Sequence, residues 1–409
     1  MKSRLIAPLA ATAVVGLIIS GCSTSTDSST ASPGVTKDTI KIGALTDLSG
    51  PFSASGKVQI NAARAYWDDV NAAGGVCGRN VELNVQDHGY DPQKAVSQYR
   101  AMANDIVGLQ QVLGTPIVQA LLPTVTQANM YTGGVGWASV ALGNKVAQVP
   151  GEPYPVDIAN AVDYMVSDLG VSKGSTIGAV YLKGDISADV KLGLEAAATS
   201  NDLTLVEREV APPDTDFSAI VASMKQAKVD GVMLSVSPGQ FGAVVNQLRA
   251  NGLDVPVIGQ HFAWNPAILK GLASDVIEDN VFVVSPVAPY AADLPGVKEA
   301  ARSYEDAQPN GEKDWGAIYG YGMADLMHQA LEGTCDNLTR EGLVAAMRDQ
   351  TSIDTGGIFV GELSFKDPFQ PATLSSYISR VDADLPGGLQ LIGTTEGPSA
   401  AGISFPKAP

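Results

Sequence analysis

The sequence predicts an α/β chain of two doubly wound lobes, and three observations carry that expectation. Short β-branched runs alternate with stretches of helical period, the alternation occurs twice in succession over 37–140 and 150–285, and the chain is 45% apolar with few aromatic residues. Strand–helix alternation at this spacing gives parallel sheets covered by helices on both faces.

The first run offers strands at Thr39–Leu45, Val81–Gln86 and Gly108–Leu113, separated by helices at Gln59–Ala72, Pro92–Asn104 and Ile117–Ala128. Asp91-Pro92 reads as an N-cap followed by proline at the first helical position. The second run places strands at Thr176–Leu182, Leu203–Val210, Gly231–Val236, Val255–Ile258 and Asn280–Val284. Its helices are Pro155–Leu169, Ala188–Ser200, Phe217–Ala227, Phe241–Asn251 and Asn265–Leu272. Three later helices follow at Gly296–Ala307, Gly316–Leu331 and Arg340–Asp349, and the tail returns to extended segments at Gly361–Phe365, Leu374–Val381 and Leu389–Thr394. Ligands of such sheets sit beyond the carboxyl ends of the strands, in the loops that precede helices.

The N-terminus predicts the compartment. Lys2 and Arg4 precede an apolar stretch, Leu5 to Ile19, too short for a spanning helix, and Ser20-Gly21-Cys22 ends it with small residues before a cysteine. This is the pattern of a lipoprotein signal over 1–22, with Cys22 lipidated to become the mature N-terminus. Residues 23–36, STSTDSSTASPGVT, form a Ser/Thr-rich tether. No later segment is apolar for the roughly 18 residues a membrane span requires. A formal charge of −17 with no basic stripe argues against nucleic-acid binding. Cys77 and Cys335 remain, and in an oxidising exterior such a pair can form a disulfide. With three histidines and no His/Cys cluster at ligand spacing, no metal site and no cofactor are expected.

The loop Leu45-Thr46-Asp47-Leu48-Ser49-Gly50-Pro51-Phe52-Ser53-Ala54-Ser55-Gly56-Lys57 lies between a strand and a helix and invites comparison with a phosphate cradle. A P-loop needs four residues between its first glycine and Gly-Lys, then Ser or Thr to hold magnesium; here five separate Gly50 from Gly56, and Val58 follows Lys57. No dinucleotide fingerprint follows the first strand, and neither G-x-S-x-G nor H-E-x-x-H occurs. Asp47, Asp87 and Asp91 sit at or after strand ends, where isolated aspartates serve as caps and turn formers.

Ile40-Lys41-Ile42-Gly43, Ser49-Gly50-Pro51, Asn71-Ala72-Ala73-Gly74-Gly75-Val76-Cys77-Gly78 and Asp87…Asp91-Pro92…Ala95, in that order, resemble the branched-chain amino acid binding proteins, the type I solute receptors of ABC importers. Asp216-Phe217-Ser218 before a helix, and Tyr321 near Trp315, echo the same family. The resemblance spans essentially the whole mature chain. It implies two Rossmann-like lobes joined by three crossovers, with lobe one at 37–145 and 286–352 and lobe two at 146–285 and 353–409. Both cysteines then fall in lobe one, which makes their bridge a testable expectation.

The resemblance also implies a ligand site between the lobes. The family's aromatic side-chain contact falls on Ser55, and its serine after the third strand falls on Val118, with Thr115 and Gln119 the polar residues nearby. The next loop, Gly134–Ser139, offers Trp137 and Ser139. Family tyrosines fall on Ile186 and near Ser237, and the glutamate that pairs with the ligand ammonium falls on His261, with Asp185 the nearest substitute. The aromatic before the late helix is kept as Trp315. Trp137, Phe262, Trp264, Trp315 and His261 suit an aromatic or apolar carboxylate, or an amide. The resemblance thus implies a monomeric, lipid-anchored capture protein facing the cell exterior, which performs no chemistry and hands a small organic solute to an ABC permease. Its rivals are a ligand sensor of the same fold that signals to a membrane receptor, an extracellular hydrolase and a structural surface lipoprotein.

Overall fold

The structure is a computed structural model that describes residues 32–134, 136–184, 186–212, 214–271 and 280–405. The signal stretch 1–22 with Cys22, most of the tether, and Asp185 lie outside the described residues.

Two sheets organise the chain. The first has strand order β2-β1-β3-β4, from β1 (Thr39–Thr46), β2 (Asn80–Asp87), β3 (Gly108–Val112) and β4 (Tyr131–Thr132), all parallel. The second has order β11-β10-β9-β8-β7-β5-β6, from β5 (Thr176–Leu182), β6 (Thr204–Val210), β7 (Gly231–Ser235), β8 (Val257–Gln260), β9 (Val281–Ser285), β10 (Ser376–Val381) and β11 (Leu389–Thr395). β5 to β9 run parallel, while β10 and β11 add an antiparallel edge. Parallel strands buried on both faces read as continuous apolar runs, and every residue of β3, β7 and β9 is buried.

Around the first sheet lie α1 (Ser53–Ala72), α2 (Pro92–Met102) and α3 (Thr115–Gln127); around the second lie α4 (Tyr154–Ser167), α5 (Ser187–Asn201), α6 (Ser218–Ala227) and α7 (Pro238–Ala250). After β9 the chain returns to the first unit, where α8 (Pro295–Ala307) and α9 (Trp315–Glu332) pack on α1, and α10 (Arg340–Asp349) packs on α9. It then crosses back to supply β10, β11 and the short α11 (Pro398–Ala401), which rests on α4 and α5. The chain therefore passes between the units three times. At the later two passages the two segments touch through an isolated bridge, with Ala288 N donating to Ile358 O at 3.0 Å and Val360 N to Pro286 O at 3.1 Å.

Four local expectations change. α1 begins at Ser53 rather than Gln59, so residues 53–56 form a helical turn instead of a loop. The helix expected at Asn265–Leu272 is, where described, a 3₁₀ turn at Pro266–Lys270. Gly361–Phe365 makes one isolated bridge, Leu363 to Ile353, instead of a strand, and β4 is a two-residue strand absent from the expectations. Cys77 and Cys335 form a disulfide that ties the α1–β2 connection to the end of α9.

Candidate functional site

The loop that imitates a phosphate cradle is filled by the protein itself. Asp47 is fully buried, and its carboxylate accepts hydrogen bonds from the backbone N–H of Ser49 (3.2 Å), Gly50 (2.5 Å) and Phe52 (2.9 Å). The N–H groups that would hold an anion are thus consumed. Glycine is required at 56 because a Cβ there would lie 2.1 Å from Asp47 O. Asp87 supports the same turn. Partial burial opposes its ionisation, yet hydrogen bonds from Leu48 N, Ser49 Oγ and Gly89 N and the nearby Lys94 hold it down to about 2. Asp91 caps α2 by accepting from Gln93 N and Lys94 N.

Both sheets have a switch point where strand order reverses, between β1 and β3 in the first and between β5 and β7 in the second. Open α/β sheets bind ligands there, beyond the carboxyl ends of the strands. The two switch points share a cavity of about 560 Å³, within the range of small-molecule sites. The segments after β1 (Pro51, Phe52, Ala54, Ser55), β3 (Leu113 to Pro116) and β4 (Gly134, Gly136, Trp137) line it from the first unit. Those after β5 (Leu182 to Gly184, Ile186), β7 (Ser237 to Gly239) and β8 (Phe262, Trp264, Asn265) line it from the second, with Tyr154 of α4 and Trp315 and Tyr319 of α9 completing the wall.

Of the residues singled out in the sequence, Ser55, Thr115, Trp137, Ile186, Ser237, Phe262, Trp264 and Trp315 line this cavity. Gln119 lies one turn further into α3 and is exposed. Ser139 turns away: its N–H donates to Asp189 Oδ2 at 2.9 Å and its hydroxyl to Asp189 Oδ1 at 2.5 Å. His261 is 1% exposed and stands behind the wall, its ring edge-on to Trp137 (4.4 Å between centroids) and Trp315 (4.9 Å). Its Nδ1 lies 3.8 Å from Asp157, and neither ring nitrogen is hydrogen-bonded to a described residue. Phe52, Tyr90, Gln111, Tyr154 and Tyr319 are lining residues the sequence did not mark. Tyr154 does sit between Pro153 and Pro155, a helix-start signal that puts it at a strand-to-helix loop.

The wall is aromatic and nearly uncharged. The indole N–H groups of Trp137, Trp264 and Trp315 donate to the backbone carbonyls of Pro150 (2.6 Å), Gly387 (3.0 Å) and Trp264 (3.4 Å), so the part of each ring that meets the cavity is apolar. Among the described lining residues no side chain is acidic, and Lys183 is the cation. The starts of α3, α5 and α7 border the space, and helix starts favour anions; the start of α1 is already occupied by the Asp47 carboxylate.

Two polar contacts, one buried and one partly buried, span the cleft beside this cavity. One is Ser139–Asp189. The Ser139 segment is held to the first sheet on either side, by Val112 N donating to Gly134 O and Gln148 N to Thr132 O, whereas Asp189 belongs to α5. Burial raises the Asp189 pKa and the two Ser139 bonds oppose that rise. The other is Asn265 Nδ2 donating to Asp314 Oδ2 at 3.2 Å. Asp314 caps α9 by accepting from Gly316 N at 2.6 Å, and burial pushes its carboxyl up to about 7.

Comparison with known proteins agrees with this geometry. The periplasmic binding protein family matches residues 39–386. A fatty acid ABC transporter substrate-binding protein from Thermomonospora curvata is 35% identical, with a TM-score of 0.87, covering 92% of this chain and 97% of its own. A Leu/Ile/Val-binding protein of Rhizobium johnstonii is 23% identical over 339 residues, 79% of this chain and 88% of the relative. A branched-chain amino acid ABC transporter protein from Thermus thermophilus, solved with bound valine, shares the fold at a TM-score of 0.80 and 16% identity, over 91% of this chain and 100% of its own. Two sheets meeting at their switch points, three chain passages and a match across most of the length lead to one conclusion: the chain belongs to the periplasmic binding protein family, in its type I, Leu/Ile/Val-binding-like branch of ABC transporter substrate-binding proteins.

Proposed function

We propose that this protein is the lipid-anchored capture component of an ABC importer and that its ligand is an apolar monocarboxylate, aliphatic or aryl, without an α-ammonium. The observation that carries this reading is the cavity wall, which is aromatic and bordered by helix starts but holds no acidic side chain among its described residues. Leaving a buried ammonium unpaired costs several kcal/mol, whereas a carboxylate meets helix starts and Lys183. The position at which the family has its ammonium-binding glutamate, His261, lies outside the lining. The fatty acid named for the 35% identical Thermomonospora curvata protein supports the same class. The protein binds and releases without chemistry, within lobes at 37–145 with 286–352 and at 146–285 with 353–409, and its ligand favours the closed form by touching both lobes.

The test is a thermal-shift and calorimetric screen of hexanoate, octanoate, benzoate and phenylacetate against leucine and valine. The carboxylates raise the melting temperature and the amino acids leave it unchanged; a leucine affinity above that of every simple carboxylate refutes the reading. For the anchor, Cys22→Ala releases the protein from membranes into the soluble fraction, and retention on the membrane counts against lipidation at Cys22.

A further inference from the structure

We infer that Tyr154 and Tyr319 form a two-hydroxyl clamp, one from each side of the cleft, that holds the anionic head of the ligand beside Gly134 and Gly136. The inference rests on the reading of the ligand as a carboxylate and adds where, and by what, its head is recognised.

Both tyrosines line the cavity and both are at least nine-tenths buried, at 9% and 2% exposure. Neither hydroxyl has a hydrogen-bond partner among the described residues, although buried hydroxyls ordinarily find one. By contrast, the buried hydroxyls of Tyr66, Tyr131, Tyr181 and Tyr377 find one within the protein; that of Tyr99 does not, but Tyr99 lies away from the cavity. The Tyr154 and Tyr319 hydroxyls are also absent from the sealed-off unpaired atoms, so the space they face is the cavity itself.

The two converge on neighbouring glycines. A Cβ built on Gly134 would stand 3.0 Å from Tyr319 Oη, and one on Gly136 would stand 4.0 Å from Tyr154 Oη. Both glycines adopt positive φ, +52° and +68°, so these positions select residues that leave the space before each hydroxyl open. Trp137, the next residue, has its ring 4.8 Å from that of Tyr319 and 6.4 Å from that of Tyr154. Tyr319 lies on α9, which packs on α1, while Tyr154 opens α4 against the second sheet. A ligand that bridges them therefore joins the two units.

The chemistry selects the head group. Burial raises both phenols, so each stays a neutral O–H donor, and two donors are best met by the two oxygens of a carboxylate. A primary amide offers one acceptor oxygen. An ammonium could donate to the phenol oxygens but would meet no opposite charge among the described lining residues.

The experiment measures affinities of octanoate and phenylacetate, and of the neutral octanamide and phenylacetamide, for wild type, Tyr154→Phe, Tyr319→Phe and the double variant, with melting temperatures as a control on folding. Wild type is expected to prefer each carboxylate over its amide by at least tenfold. Each single variant loses about 10- to 100-fold on the carboxylates and less than threefold on the amides, as expected for one hydrogen bond to a charged group. The double variant then binds both classes alike. Variants that keep wild-type carboxylate affinity, or that lose both classes equally, overturn the clamp and leave the carboxylate reading in place, as does a wild type that prefers an amide. A wild type that takes none of the four probes overturns that reading and the clamp with it.

Discussion

Asp314→Asn should change how stability depends on pH while leaving the architecture of the cleft intact. Asn is itself a good N-cap, and its oxygen can still accept from Gly316 N; its amide nitrogen replaces the oxygen that accepts from Asn265 Nδ2, so that bond is lost as a pH-independent offset. The native carboxyl is 2% exposed, and burial moves it from an ordinary 3.8 to about 7. Between these values the folded protein holds up to one proton more than the unfolded chain, so this group makes stability fall as pH rises and level off above about 7. The whole shift is worth about 4 kcal/mol at 1.36 kcal/mol per pH unit. Between pH 4.5 and 7.5 the part traversed is about 3 kcal/mol. A folded body of about 370 residues has an unfolding entropy near 0.8 kcal/mol/K, so the melting temperature of the variant should gain about 4 °C on wild type across that interval. The assay is a paired series of thermal melts at half-unit pH steps, in which only the difference between the two proteins matters, because Asp87 and other carboxylates bend both curves alike. Parallel curves would refute the reasoning, since they would mean that Asp314 ionises as easily in the folded protein as in water.

Other perturbations have equally definite outcomes. The Cys77–Cys335 bridge spans a sequence separation of 258, and the loop-entropy relation gives it at most about 5.5 kcal/mol; reduction, or a paired Cys→Ser change, should lower the melting temperature by several degrees, and identical melts with and without reductant would count against that role. Asp189→Ala removes both acceptors of the Ser139 contact, so calorimetry should show ligand affinity at least tenfold weaker, with an unaltered affinity arguing that the contact does not track closure. His261→Leu removes an imidazole with no hydrogen bond to a described residue and should change affinity less than threefold; a collapse of binding would restore it as a ligand contact.

The architecture was legible because its strands are buried on both faces. Thr176–Leu182 was bounded to the residue, and Val281–Ser285 within one, since runs of β-branched residues leave little freedom of assignment. β4 escaped because two residues carry no periodicity, and the start of α1 escaped because Ser, Gly and Pro in 49–56 read as loop while Asp47 supplies the acceptors that let a helix begin there. At the site, loop residues between a strand and a helix were found, Trp137 and Phe262 among them, because topology alone sends such loops to the cleft. Tyr154 opens α4 and Tyr319 lies inside α9, and an aromatic on a buried helix face looks like core packing until the fold shows an unpaired hydroxyl. Ser139 and His261 have the right chemistry in the right segments, and only the fold reveals that one faces Asp189 and the other stands behind two indoles.

Three of the four tryptophans in the chain border the cavity, and the fourth, Trp67, is sealed in the first unit on the buried face of α1. The protein therefore carries its own optical gauge: displacement of water from the indole faces should alter ultraviolet emission from Trp137, Trp264 and Trp315 against a constant background from Trp67. Occupancy can then be read on native material, with no dye, label or immobilised surface.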